Sequence, residues 1–328
     1  MKRLLQVMLL LAAVLGLGAC GREAAPAEKR LVRVGFSQVG SESSWRKANT
    51  ASMTAALSEE EGFELLFDNA KQRQENQLLA IRNFIQQDVD YIVLAPIAES
   101  GWDDVLQEAR DAGIPVIIAD RMIDVQDRDL YVSRVGSDFL KEGQQIVRWL
   151  ERELERRGET GKPLRILHIQ GTDGATSQLL RTQALEEAVK AHPEWEIAAR
   201  LPGEYTEAKS YELVRDFLRT DRDIDVVYSE NDNMSFGAIR ALEEAGLSCG
   251  GDGGVTVLSF DAVREALRLC MEGKISACAE CNPLHGPRVA ALIRQLERGE
   301  TPEKETFVEE AFFETGDVTE ELLRSREY

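Results

Sequence analysis

The sequence has none of the short motifs that mark the common catalytic chemistries. There is no G-x-S-x-G elbow, no H-E-x-x-H pair, no G-x-x-x-x-G-K-[ST] phosphate loop, and no G-x-G-x-x-G opening the first helical stretch. Histidine is scarce, with three in 328 residues. His168 falls inside an apolar strand candidate, where a ring satisfied within the core is expected, while His192 ends a helix in "AHPEW" and His285 sits in the turn-like "NPLHGP". Positive charge is also short, 39 Lys and Arg against 58 Asp and Glu, for a net charge of -19. So acidic a surface repels phosphate backbones and anionic headgroups, which excludes nucleic acid as a partner and adsorption to membranes by charge. Long apolar runs are missing too. The run from Leu4 to Leu17 falls short of the roughly 20 residues that a membrane span needs.

What stands at the start is a secretory pattern: Lys2 and Arg3, the apolar run, then small residues leading to Cys20. The letters Leu17-Gly18-Ala19-Cys20 look like a bacterial lipobox, so residues 1–19 are expected to be a signal peptide and Cys20 the lipidated first residue. Residues 20–30, alanine-rich and without periodicity, read as a tether. Removing 19 of 328 residues leaves 309, enough for two domains with cores of their own. Cys249, Cys270, Cys278 and Cys281 remain, an even number in an exported chain, which allows up to two disulfides in three connectivities. The "CAEC" at 278–281 has zinc-like spacing but lacks a second C-x-x-C or a histidine pair, so no metal is expected there.

Apolar runs of strand length alternate with longer stretches of helical period, the pattern of parallel sheets covered by helices. One series runs "LVRVGF", "FELLFD", "DYIVLA", "PVIIAD", "LYVSRV"; a second runs "LRILHI", "WEIAAR", "DVVYS", "VTVLSF", "KISACAE". No proline-rich linker separates them. The fold class is therefore α/β, two doubly wound parallel-sheet lobes, with functional residues at the carboxyl ends of strands. Ser37 and Gln38, Asp120 and Arg121, Asn231 and Asp232, and Asp261 all stand at such ends.

Glu42, Asp120 and Asp261 offer paired carboxylates, two of which would serve as acid and base in glycoside hydrolysis. A sugar binder needs the same groups. A carboxylate accepts from adjacent hydroxyls, a guanidinium donates to their lone pairs, and an aromatic face covers the C–H side of the ring. The glycine cluster "GTDGATS" at 171–177 precedes a helix but lacks the lysine of a nucleotide loop, so a plain strand-to-helix turn is its expected role.

The segments "VGFSQVGSESSWR", "NQLLAIRNFIQQDVDYIVLAPI", "GWDDVLQEARDAGIPVIIADR", "QGTDGA", "NDNMSFGAIRALEEAG" and "SFDAV" resemble the type I periplasmic sugar-binding proteins of ABC transporters, the ribose- and galactose-binding group, from about Val32 to the end. The first segment is most similar to the galactofuranose-binding branch. The resemblance implies three crossovers between the lobes, near Gly136, near Glu280 to Pro283, and near Gly299 to Glu303. It thus implies an N-terminal lobe of 31–136 plus 282–299 and a C-terminal lobe of 137–281 plus 300–328. It places Trp45 and Tyr205 as facing stacking aromatics, Asp120 and Arg121 as the pair that forks onto ring hydroxyls, and Arg181, Asn231 and Asp261 as polar ligands of the second lobe. Glu42 and Arg46 fall in the specificity-setting stretch, with Ser37 and Gln38 beside them. The family's hinge residue is usually an amide; here the segment is "CAECNP", and Glu280 takes that position.

The expected function is capture of one monosaccharide by hinge closure and its delivery to an ABC permease, without catalysis or cofactor, by a monomer anchored outside the cytoplasmic membrane through Cys20. Some related proteins also report to chemoreceptors or sensor kinases. The rival from another class is a secreted glycosidase using Glu42 with Asp120 or Asp261. A transcriptional regulator of the same fold would need a basic helix-turn-helix before Val32, where the secretory pattern stands instead.

Overall fold

A computed structural model describes residues 30–251 and 253–328. The expected signal peptide, the expected lipidation site Cys20 and nearly all of the expected tether lie outside the described residues.

The first sheet has the order β11-β5-β4-β3-β1-β2, built from β1 (Val32–Gln38), β2 (Phe63–Asn69), β3 (Tyr91–Leu94), β4 (Val116–Ala119), β5 (Ser133–Gly136) and β11 (Glu305–Phe307). Every residue of β3, β4 and β5 is buried, as expected of strands covered on both faces. The twofold alternation of side chains sorts them between two layers. Val34, Phe36, Val93 and Ile117 pack with Met53 of α1 (Ser44–Ala56) and Val289 and Ile293 of α9 (Gly286–Glu297). Ile92, Leu94, Val116 and Ile118 face Ile81 and Phe84 of α2 (Gln74–Gln86) and Leu106 of α3 (Asp103–Asp111).

The second sheet repeats the plan in the order β12-β10-β9-β8-β6-β7, from β6 (Leu164–Gln170), β7 (Trp195–Pro202), β8 (Val226–Ser229), β9 (Thr256–Asp261), β10 (Ala277–Glu280) and β12 (Phe312–Glu314). Ile146 and Leu150 of α4 (Phe139–Arg157) and Leu185 of α5 (Thr176–Ala191) cover the face bearing Ile166, Tyr228, Leu258 and Phe260. The opposite face, with Leu167, Ile169, Val227 and Val257, packs on α7 (Asp232–Glu244) and α8 (Arg264–Met271); α6 (Glu207–Phe217) lies against α7, and α10 (Glu320–Ser325) closes the fold. Among the described residues no helix is long and apolar enough to cross a membrane.

The chain passes between the sheets after Gly136, after Glu280 and between Phe307 and Phe312. The last of these corrects the boundary expected near Gly299 to Glu303. Glu305, Thr306 and Phe307 pair with Arg134, Val135 and Gly136, and Val308 is buried in the first lobe's core, so residues 305–308 stay with the first lobe. The strand beyond the crossing, β12, pairs antiparallel with β10, the one antiparallel pairing among the described strands.

The four lobe cysteines are all free thiols, which corrects the disulfides that their even number allowed. Cys278 donates to Asp232 Oδ1 at 3.4 Å, Cys281 Sγ lies 3.3 Å from Ser137 Oγ, and Cys249 sits in the loop after α7. Cys278 and Cys281, the two of the C-x-x-C, are thus each turned to a partner of their own.

Candidate functional site

The carboxyl ends of both sheets face a shared cavity, with about 300 Å³ of empty space counting the solvent at its mouth. Glu42, Ser43, Trp45, Arg46, Asp120 and Arg121 line it from the first lobe; Phe139, Ser177, Arg181, Tyr205, Asn231 and Asp261 line it from the second, and Cys281 from the second crossing.

The stretch after β1 supplies the first group. Ser43 caps α1, its hydroxyl accepting from Arg46 N at 3.0 Å, and this fixes Trp45 and Arg46 on the first helical turn. The Arg46 guanidinium ties three elements together: Nε donates to Glu42 Oε1 at 3.2 Å, Nη1 to Gln38 Oε1 at 3.2 Å, and Nη2 lies 2.8 Å from Asp120 Oδ2. Burial works against its charge, but Asp120 and Glu42 outweigh burial and raise its pKa. The Trp45 indole donates to Cys281 O at 2.6 Å, and the Arg46 guanidinium lies over its ring at 4.6 Å.

Asp120 has φ +69°, a left-handed conformation that side chains with a Cβ enter at a cost of about 1–3 kcal/mol. Arg134 holds it there, donating from Nε at 3.0 Å and Nη2 at 2.6 Å to the Asp120 carbonyl. Burial opposes the charge of the Asp120 carboxyl, yet Arg46 and Arg121 hold it below the usual carboxylate range. Arg121 donates to Ile97 O at 2.8 Å and stacks over the Tyr205 ring at 5.2 Å.

Across the cavity Tyr205 (φ +61°) and Asp261 (φ +105°) are strained in the same way. The Tyr205 ring lies on Gly171, where an added Cβ would come within 2.0 Å of Cζ, and its hydroxyl is 2.7 Å from Ser177 Oγ. This close approach accounts for the first glycine of "GTDGATS". Arg181 donates from Nε to Glu142 Oε2 at 2.9 Å and from Nη1 to Glu230 O at 2.5 Å, and lies 3.7 Å from Asp261. Burial drives the Asp261 carboxyl well above the usual range; Arg181 opposes this, while Asp232 and Asp120 reinforce it. Asn231 caps α7, accepting from Met234 N at 2.9 Å.

The cavity wall thus carries three carboxylates (Glu42, Asp120, Asp261), three guanidinium groups (Arg46, Arg121, Arg181) and two aromatic side chains that carry polar groups. A wall with charge-assisted donors and acceptors interleaved suits a polyhydroxylated ligand.

A family model described as a periplasmic binding protein domain matches residues 34–294. The chain belongs to the periplasmic binding protein family. The galactofuranose-binding protein YtfQ of Escherichia coli (strain K12) is 38% identical over 297 residues, covering 89% of this chain and 91% of that protein. The binding component of an arabinose ABC transporter from Shewanella sp. ANA-3, solved with alpha and beta-L-arabinofuranose, is 36% identical with a TM-score of 0.82, covering 90% of this chain and 95% of that one. A Mycobacterium smegmatis protein solved with beta-D-fucofuranose is also 36% identical with a TM-score of 0.82, covering 88% and 92%. The two lobes have the type I periplasmic-binding-protein fold expected from the sequence.

Nine of the twelve residues expected at the ligand site line the cavity: Glu42, Trp45, Arg46, Asp120, Arg121, Arg181, Tyr205, Asn231 and Asp261. Three do not. Ser37 is fully buried in β1 between β2 and β3, and Gln38 stands behind Arg46, bonded to it and to Asn49 and Thr50. Glu280 faces the C-terminal tail, accepting from Ala311 N at 2.7 Å and pairing with Arg326 at 2.7 Å. At the hinge it is Cys281 that reaches the cavity. Sequence reasoning also missed Ser43, Phe139 and Ser177, each at or next to a helix start, where the strand-end rule does not look.

Proposed function

We propose that this periplasmic binding protein captures a monosaccharide in its furanose form, closes its lobes around it, and delivers it to an ABC permease from a lipid anchor at Cys20. The observation that carries the reading is the interleaved wall of three carboxyl and three guanidinium groups between Trp45 and Tyr205. The relatives at 36–38% identity that name or hold galactofuranose, fucofuranose and arabinofuranose support it. These sugars share a five-membered ring and differ in the carbon chain attached to it. The ring is therefore the common ligand feature, and the tail sets preference within the class. Glu42 and Asp120, both held by one guanidinium, act as acceptors for ring hydroxyls, and the bound sugar leaves unchanged.

Calorimetry with ring-restricted analogues tests this. 5-Deoxygalactose closes only to a five-membered ring and 4-deoxygalactose only to a six-membered one; binding of the first and not the second is expected. Preference for the six-membered form would overturn the furanose assignment. Turnover of a galactofuranoside, abolished in Glu42→Gln, would establish the glycosidase reading instead. Membrane fractionation tests the anchor: Cys20→Ser is expected to release the protein.

A further inference from the structure

Beneath the cavity the three chain crossings meet at a cluster that the sugar site does not explain. Glu142 on α4, Cys281 on the second crossing and Glu310 on the third each offer a ligand atom, and these atoms lie within 4.8 Å of one another. Ser137, on the first crossing, touches two of them. Its hydroxyl is 3.3 Å from Cys281 Sγ and donates to Glu310 Oε1, which also accepts from Asn282 N at 2.9 Å. Glu142 and Cys281 are each 2% exposed. One carboxylate oxygen of Glu142 is held by Arg181, and the other, Oε1, is buried with no hydrogen-bond partner. An unsatisfied buried carboxylate oxygen costs free energy unless something takes it.

We infer that this hinge cluster is a binding site for a divalent cation of the zinc class, held by Glu142, Cys281 and Glu310 with Ser137 or water as the fourth ligand. A thiolate beside carboxylates selects a borderline cation over calcium or magnesium, which take oxygen alone. Charge gives the same answer. Two carboxylates and a thiolate offer three negative charges, Arg181 is shared between Glu142 and Asp261, and one divalent cation offsets most of the remainder. Donors around a tetrahedral zinc stand roughly 3.5 Å apart, so any pair near the 4.8 Å limit draws in on binding. Since the ligands come from a lobe helix and two of the three crossings, the cation staples the hinge. Because Cys281 and Arg181 also line the cavity, it couples hinge stiffness to the ligand site.

The test is calorimetric titration of zinc into the full chain, stripped with a chelator and free of sugar, so that its outcome does not depend on what the cavity holds. One zinc per chain is expected, with affinity weakened by about tenfold or more in Cys281→Ser and in Glu310→Gln. Cadmium in place of zinc should give a thiolate charge-transfer absorption that Cys281→Ser abolishes. Absence of saturable one-to-one binding overturns the inference, as does binding that both variants leave unchanged. So does binding lost only in His192→Ala, since His192 with Glu151 at 2.9 Å and Glu194 at 3.4 Å is the competing surface site.

Discussion

His285 is fully buried, edge-on to Trp45 at 5.6 Å between ring centroids, and neither ring nitrogen has a hydrogen-bond partner. Burial pushes its pKa down to about 4; Asp120 opposes the shift, while Arg134, Arg46 and Arg288 reinforce it. An unfolded chain titrates this ring near 6.5, so between pH 6.5 and 4 the unfolded state holds a proton that the folded state refuses. Stability attributable to His285 therefore falls as the pH drops through that window, by up to about 3 kcal/mol, and levels off below it. Denaturant unfolding of His285→Gln beside the wild type checks this: the difference between the two should shrink or reverse toward pH 4, and parallel profiles would contradict it. Arg121→Ala is a second case at this scale. The guanidinium is the cavity donor stacked on Tyr205, and losing its charge-assisted bonds should cost about 1.5–3 kcal/mol of sugar affinity, a loss of one to two orders of magnitude. The sugar-induced rise in melting temperature should shrink with it, and an unchanged rise would overturn the assignment. Arg121 was legible because a charged dipeptide at the end of an apolar strand has little reason to be there unless a ligand meets it. Glu280 misled because its partners, Ala311, Arg326 and Tyr328, lie 31 to 48 positions away, and no local pattern reports them.

The central strands of both sheets were readable for a simple reason: a strand covered on both faces must be a continuous apolar run. The three-residue strands Glu305–Phe307 and Phe312–Glu314 are mostly exposed or half-buried. They carry neither a run nor an alternation long enough to detect, and so the third crossing was placed too early. Helix contacts were equally hidden. Gly237 lies inside α7, where its position in sequence suggests a weak spot that alanine would strengthen by about 1 kcal/mol. An added Cβ there would stand 2.3 Å from Glu207 O and 2.8 Å from Tyr211 N, both backbone atoms of α6. Backbone cannot swing aside as a side chain can, so Gly237→Ala should destabilise the second lobe by about 1–3 kcal/mol. The sign of the change in chemical denaturation decides between helix propensity and helix packing, and a stabilised variant would show that the two helices can separate freely.

At the scale of the whole molecule, the lobes are shut on one another. Ser44 N donates to Asn233 Oδ1 at 2.9 Å, Glu99 N to Gly174 O at 3.0 Å, and Met122 N to Thr176 Oγ1 at 2.9 Å, each bond joining one lobe to the other. The same Thr176 hydroxyl donates back to Met122 O at 3.3 Å. None of these contacts touches a ligand in the cavity, yet each exists only when the lobes meet. A sugar that bridges the lobes shifts the open–closed balance by its preference for the closed form, and bonds outside the cavity add to that form alone. Thr176→Val keeps the shape of the side chain and removes both bonds, so it should weaken sugar binding about tenfold, roughly 1–2 kcal/mol. Melting of the sugar-free protein should barely move, because the open form never had the bonds. Calorimetry and melting on the same variant separate the cases: affinity and sugar-free melting both unchanged would mean that closure draws nothing from these contacts. A drop in sugar-free stability with the affinity unchanged would mean that the protein is closed before sugar arrives, since the bonds then stand on both sides of the binding equilibrium.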